Sequence, residues 1–249
     1  MSTSNKQASQ FTLAGKRVII LGGSAGIGLA VAQAAAAEGA VVVIGSSNPK
    51  RVDEALKTLP ATATGYTVDL SAEEAIKNFF ATVGVFDHLV YTAGENISLS
   101  NITETDTAFA RSYFTIRYWG AFLSIKYGVA FLREGGAITL TSGVAAERPG
   151  KGWSLGASIC SAMEGFTRAM AVELAPIRVN IVSPGMVKTD LWSGMSAEER
   201  EGMYTATGNT LPVRMVAGPE DIALTYLYLM KQPYTTGQIV VVDGGWVLV

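Results

Sequence analysis

The sequence predicts an open α/β domain, a doubly wound parallel sheet in three layers with helices on both faces. Two observations carry this reading. Seven short aliphatic runs recur along the chain, at 18–21, 41–44, 66–68, 89–91, 137–141, 178–182 and 238–242. They are apolar almost throughout rather than alternating, as suits strands covered on both sides. Helix-length segments fill the gaps between them, and β–α alternation with right-handed crossovers reduces to a Rossmann-like, single-domain α/β/α arrangement.

Taken in order, the first run leads into an alanine-rich helix over 26–38, and the next helix, 49–58, opens with Pro49 at its first helical position. A third helix over 71–83 begins with Ser71-Ala-Glu-Glu74, read as a capping box. Two longer helices follow, at 104–132 and 153–174, and a last one at 219–230. The polar segment 187–218 is too long for an ordinary connector. It must emerge at the carboxyl ends of the strands, where ligands of such sheets sit, so it is expected to be a lid over a pocket. The domain is therefore expected to run over 13–249, after a disordered stretch at 1–12.

Composition excludes several classes. The 249 residues are 49% hydrophobic and 16% charged, with 19 Lys and Arg against 21 Asp and Glu and a net charge of -2. This is neither a disordered chain nor a binder of nucleic-acid backbone. A single cysteine, Cys160, and a single histidine, His88, leave no internal disulfide and no zinc site built on clustered His or Cys; no metal is expected. His88, just before the strand at 89–91, reads as a surface residue. No stretch approaches the roughly 20 uninterrupted apolar residues of a membrane span, and the first ten residues lack the apolar core of a secretory signal. The expected location is the cytoplasm.

The first strand runs through Leu21-Gly22-Gly23-Ser24-Ala25-Gly26-Ile27-Gly28 directly into a helix. Glycines there let the backbone turn tightly and approach a pyrophosphate, stabilised by the free N–H groups and positive dipole end of the helix. A dinucleotide is the ligand this pattern predicts. At the end of the second strand, NAD would ask for a carboxylate to bind the ribose 2′-OH. The sequence instead reads Gly45-Ser46-Ser47-Asn48-Pro49-Lys50-Arg51. Hydroxyls at Ser46 and Ser47 with the cation Arg51 suit a 2′-phosphate, so NADP(H) is expected over NAD(H).

Further matches follow in chain order: Asp69-Leu70 after the third strand, Ala93-Gly94 after the fourth, the run Glu164-Gly-Phe-Thr-Arg-Ala-Met-Ala-Val-Glu-Leu-Ala-Pro, then Ile177-Arg-Val-Asn-Ile-Val-Ser-Pro-Gly185 and Val242-Asp-Gly-Gly245. With the glycine loop, this co-linear set resembles the short-chain dehydrogenase/reductase family over essentially residues 14–249. The resemblance implies that Asp69 and Leu70 meet the adenine, that Ala93 and Gly94 pass close to the ribose, and that Pro184, Gly185, Val187 and Thr189 hold the nicotinamide end. It also implies a homodimer or homotetramer, with the helices at 104–132 and 153–174 pairing with their own copies and the closing 244–249 tail adding to an interface.

The family's chemistry uses an Asn, a Ser, and a Tyr and a Lys spaced Y-x-x-x-K, and here the chain departs from it. Anchored on the flanking motifs, the Asn position falls on Arg117, the Ser position on Gly143, the Tyr position on Gly156 and the Lys position on Cys160. The family's Tyr protonates the alkoxide left by hydride addition, and glycine has nothing to donate. Two replacements present themselves. Tyr113 has a basic residue four positions on, Arg117, so the pair is expected to share a helix face, Arg117 stabilising an oxyanion and lowering the pKa of Tyr113 or a bound water. Slipping the strand end by one residue would instead bring Ser142 forward. Trp153, one turn before Gly156, is placed to narrow the space left by the absent tyrosine, and Cys160 reads as an inert packed thiol.

The expected activity is an NADP(H)-dependent oxidoreductase acting on a small carbonyl compound. An electron-poor diketone or quinone is favoured, because its product anion needs little acid assistance. The alternative is an NADP(H)-binding regulator or a silent subunit of an active relative.

Overall fold

A computed structural model describes residues 11–249; the expectation for 1–10 lies outside the described residues. The strands are β1 (Arg17–Leu21), β2 (Val41–Ser46), β3 (Thr64–Thr67), β4 (Phe86–Tyr91), β5 (Leu132–Thr141), β6 (Arg178–Pro184) and β7 (Ile239–Val242). They form one sheet in the order β3-β2-β1-β4-β5-β6-β7, every pair parallel. Helices α1 (Gly26–Ala37), α2 (Pro49–Leu56), α3 (Glu73–Val83), α4 (Thr107–Ser112), α5 (Ala121–Gly128), α6 (Ser154–Glu173), α7 (Ala197–Thr210) and α8 (Pro219–Lys231) complete it.

Period-two alternation decides which layer each strand residue feeds. Val18 and Ile20 of β1 face one core with Val31 of α1 and Tyr226 of α8. Ile19 and Leu21 face the other, with Phe80 of α3, Ile125 of α5 and Met163 of α6. The sheet is therefore buried on both sides, which is why its strands read as unbroken apolar runs. Between β1 and β4 the winding reverses direction, and that crevice is where such sheets bind ligands.

Three expectations are corrected. The capping box at Ser71 is not formed: α3 starts at Glu73 with Ala72 as its cap, and the Ser71 hydroxyl donates to Asp69 Oδ1 at 2.7 Å instead. The single helix over 104–132 is broken into α4, a π-helical segment Thr115–Gly120, α5 and a 3-10 turn Val129–Phe131. The Tyr91 hydroxyl donates to the Ile116 carbonyl at 2.5 Å, an acceptor that a regular helix would give to the N–H of Gly120. A Cβ on Gly120 would stand 2.3 Å from that hydroxyl, so the helix widens to pass it. The 187–218 segment, expected as a lid, contains a 3-10 turn, Asp190–Trp192, and α7, capped reciprocally by Ser196 and Glu199.

His88 is the third correction. It is 5% exposed, in β4 between β1 and β5. Burial, aided by the Arg178 charge and opposed by Asp87, lowers its pKa to about 4 from 6.5. The unfolded chain thus binds this proton first as pH falls, so stability present above about pH 6.5 is lost on the way to pH 4. His88→Leu cannot take up the proton. Urea unfolding at pH 7 and pH 4 is expected to show the wild type losing ~2–3 kcal/mol more than this variant over that interval; equal losses would refute the buried-histidine account.

Candidate active site

The site begins with how closely the β1–α1 turn lies against β4. The Thr92 N–H donates to the Leu21 carbonyl at 2.8 Å. Gly22 has φ +90, and a Cβ on it would stand 2.6 Å from the Ala93 nitrogen. A Cβ on Gly28 would stand 2.2 Å from the Gly22 carbonyl oxygen. Glycine is therefore obligatory at both places. The turn delivers the first residues of α1 to the crevice, and that helix has neither a side-chain cap nor an acidic residue in its first turn. Its leading N–H groups and dipole suit an anion.

A groove of about 480 Å³ runs from there along the carboxyl ends of the strands. Gly22, Ser24, Gly26, Ile27 and Gly28 floor one part of it, and Ser46, Ser47 and Arg51 line its far end. Ala93 and Gly94 follow β4, and Pro184 and Thr189 follow β6. Leu70 lines the groove together with Val68, which sequence reasoning passed over, while Asp69 does not line it. Asp69 is exposed, and its carboxylate is held by the hydroxyl and N–H of Ser71, which lower its pKa. Asn48, between Ser47 and Arg51, caps α2 by accepting from the Arg51 N–H at 3.1 Å.

A second, largely apolar cavity of about 150 Å³ opens beside the groove, and Gly185 and Val187 line it. Ile27, Arg117, Ser142, Pro184, Thr189 and Leu191 border both spaces. The four positions to which the resemblance assigns acid–base chemistry, Arg117, Gly143, Gly156 and Cys160, all line this cavity, as do Tyr113 and Ser142. Trp153 packs over Gly156, where a Cβ would stand 3.2 Å from its Cε3. Three further walls escaped sequence reasoning. Arg148 lines the cavity and donates to the Trp246 carbonyl at 2.8 Å, and Trp192 and Trp246 close two sides. The 244–249 tail thus brings Trp246 to the cavity, a placement that only the tertiary fold reveals.

Electrostatics correct the expectation for Tyr113. Its phenol is 4% exposed, and burial raises its pKa; Arg117 pulls the other way and loses. Arg117 lies flat on Gly94, where a Cβ would stand 2.6 Å from its Cζ, and donates to the Glu95 carbonyl. Its Nε is 3.8 Å from Glu95 Oε2. The guanidinium is thus partly neutralised before any substrate arrives. Cys160 is also raised by burial, which keeps its thiol protonated and poorly nucleophilic.

Comparison with known proteins agrees with this geometry. A family model described as enoyl-(acyl carrier protein) reductase matches residues 22–247. A short-chain dehydrogenase/reductase of Stachybotrys chlorohalonatus, ATR9, is 38% identical over 249 residues, 94% of this chain and 98% of that one. The chain belongs to the short-chain dehydrogenase/reductase family. Among solved structures of this family, a small-chain dehydrogenase in complex with NADPH superimposes with a TM-score of 0.84 at 36% identity, covering 94% of this chain and all of that one. The reductase/Diels-Alderase MalC of Malbranchea aurantiaca superimposes with a TM-score of 0.89 at 30% identity, covering 98% and 100%. The protein is accordingly an oxidoreductase of the short-chain dehydrogenase/reductase type. Among its described residues no helix is long and apolar enough to cross a membrane.

Proposed function

We propose that the protein is an NADP(H)-dependent reductase of a small, electron-poor carbonyl compound, such as a diketone or a quinone. The observation that carries this reading is the continuity of the groove with the apolar cavity through Arg117, Ser142 and Thr189. A dinucleotide laid along the groove would put its reactive ring at that junction, facing the cavity. When bound, the reduced nicotinamide supplies the hydride. The chain's own residues bind and orient. The first-turn N–H groups of α1 hold the pyrophosphate, and Ala93 and Gly94 pass beside the ribose. Leu70 faces the adenine together with Val68, with the exposed Asp69 between them in sequence outside the groove lining. Pro184, Gly185, Val187 and Thr189 fix the nicotinamide end, while the tryptophan walls exclude water. Arg117 stands where negative charge would develop on the substrate oxygen, with Tyr113 behind it, and serves as oxyanion stabiliser.

The preference for NADP(H) rests on Ser46, Ser47 and Arg51 at the far end of the groove and on the absence of a carboxylate at the end of β2. A 2′-phosphate there meets hydroxyls and a guanidinium with no opposing charge. Arg51 is exposed, so its contribution is discounted for solvent screening. A silent, cofactor-binding subunit remains the second reading, favoured by Gly143, Gly156 and Cys160 at the acid–base positions.

Exposed apolar side chains support self-association as a homodimer or homotetramer, and the location proposed for the protein is the cytoplasm. Trp119 is 53% exposed and packs edge-on against Phe122 at the start of α5, and Leu224 on α8 is 66% exposed. Light scattering at micromolar concentration is expected to give twice or four times the monomer mass; a monomer refutes this.

Two predictions bear on the chemistry. Arg51→Ala is expected to weaken NADPH binding about 3- to 10-fold in calorimetry while leaving NADH unchanged, and wild-type preference for NADH would overturn the cofactor assignment. With deuterium-labelled NADPH, label is expected in the alcohol from 2,3-butanedione, and Arg117→Ala is expected to lower kcat about 10²-fold. Cofactor binding without label transfer to any carbonyl substrate would favour the silent-subunit reading.

A further inference from the structure

Ser142 is the one hydroxyl-bearing residue besides Thr189 and Tyr113 on the cavity wall, and it borders the groove as well. Its Oγ lies 3.0 Å from Oε1 of Glu164 and 3.3 Å from the Cys160 carbonyl oxygen. Glu164 borders neither space. It stands behind Ser142 on α6, 8% exposed, within reach of the charges of the exposed Arg168 and Glu147. Cavity, Ser142, Glu164 and solvent are thus in sequence across one wall of the site.

We propose that Ser142 and Glu164 form a proton relay through the cavity wall, which supplies the acid for carbonyl reduction in place of a phenol. The proposal rests on the reductase reading above. As the substrate's carbonyl carbon gains hydride, the π electron pair moves to its oxygen, and that oxygen forms a bond to the Ser142 hydroxyl proton. The Ser142 O–H bond breaks, and Oγ takes the proton that leaves Glu164. Glu164 ends as a carboxylate and is re-protonated from the solvent by a hydronium ion or a buffer acid. Ser142 is the catalytic residue, since it touches the reacting oxygen. Glu164 acts through it as a positioning and proton-holding residue.

The surroundings of Glu164 suit this task. Burial raises its pKa; the Ser142 hydrogen bond and the Arg168 charge oppose that rise, and Glu147 adds to it. The other titratable neighbour, Cys160, is neutral at physiological pH and removes no charge from the pair. With Glu164 ionised, the Ser142 hydroxyl donates to it and is turned from the substrate. With Glu164 protonated, the hydroxyl is free to donate into the cavity. The relay is therefore armed only in the protonated state, and the rate should fall as pH rises through the carboxyl's raised pKa.

The test uses the full chain with NADPH and two probes, 2,3-butanedione, whose alkoxide product needs a proton, and menadione, whose phenolate product needs one less. Glu164→Gln and Ser142→Ala are expected to lower kcat for butanedione about 10²-fold, and for menadione less than 10-fold. NADPH affinity should not change, and Glu164→Asp should restore part of the loss. Independently of turnover, infrared spectra of the cofactor-free protein should contain a carboxylic C=O band that is lost in Glu164→Gln, shifted in Ser142→Ala, and still present at a pH where ordinary glutamates are ionised. If the wild type reduces the probes while Glu164→Gln keeps its rate and pH profile, or if that band titrates in the ordinary range, the relay is overturned and the reductase reading stands. If the wild type oxidises NADPH with neither probe, the reductase reading fails and takes the relay with it.

Discussion

The close approach of the β1–α1 turn to the end of β4 governs the rest of the molecule. A Cβ at Gly22 would stand 2.6 Å from the Ala93 nitrogen and one at Gly28 2.5 Å from the Thr92 hydroxyl oxygen, so the two segments can be this close only because those positions carry none. That contact sets the N-terminus of α1 at the reversal point of the sheet. It fixes where an anion is stabilised, and with it the line of the groove. The position of the apolar cavity follows, because Ser142, Pro184 and Thr189 are carried to the groove's end by strands whose register with β4 is already determined. A relatively inflexible turn therefore organises chemistry some distance from itself.

Small residues in the other half of the site act differently. Gly94 is covered by the Arg117 guanidinium, and Gly150 and Gly156 flank the Trp153 ring. At Gly156 the missing side chain is matched by the Trp153 ring lying over it, so that position is repacked rather than left empty. Packing density explains the pairing, since an unfilled space of side-chain size costs several kcal/mol. It also changes what the wall can do. A flat indole over Gly156 offers contact area where a phenol would offer a proton, and the arginine on Gly94 is already paired with Glu95.

What was legible in the sequence was what local pattern determines. Seven apolar runs became seven strands, and the glycine loop, Ser46, Ser47, Arg51, Ala93 and Gly94 line the groove. What failed depended on partners distant in sequence. The break at Thr115–Gly120 comes from the hydroxyl of Tyr91, which lies 25 residues from the carbonyl it takes. His88 has the composition of a surface residue, and only its strand's position between β1 and β5 buries it. Trp246 and Arg148 meet across 98 residues. Glu164 was read only as part of a motif, because nothing local says that its carboxylate reaches Ser142, 22 residues away.

Burial in one wall acts on every acid in the same direction and so distinguishes between them in usefulness. Removal from water disfavours charge, which raises phenol, thiol and carboxyl alike. A phenol starts near 10, and raising it carries Tyr113 further from neutrality, into the range where it holds its proton too tightly. In the family's arrangement a lysine at the position of Cys160 corrects this by placing a positive charge beside the phenol, but a neutral thiol cannot. A carboxyl starts well below neutrality, so the same burial carries Glu164 towards the pH at which a general acid is most effective. Once the cation is gone from that helix position, the low dielectric that penalises a tyrosine favours a glutamate.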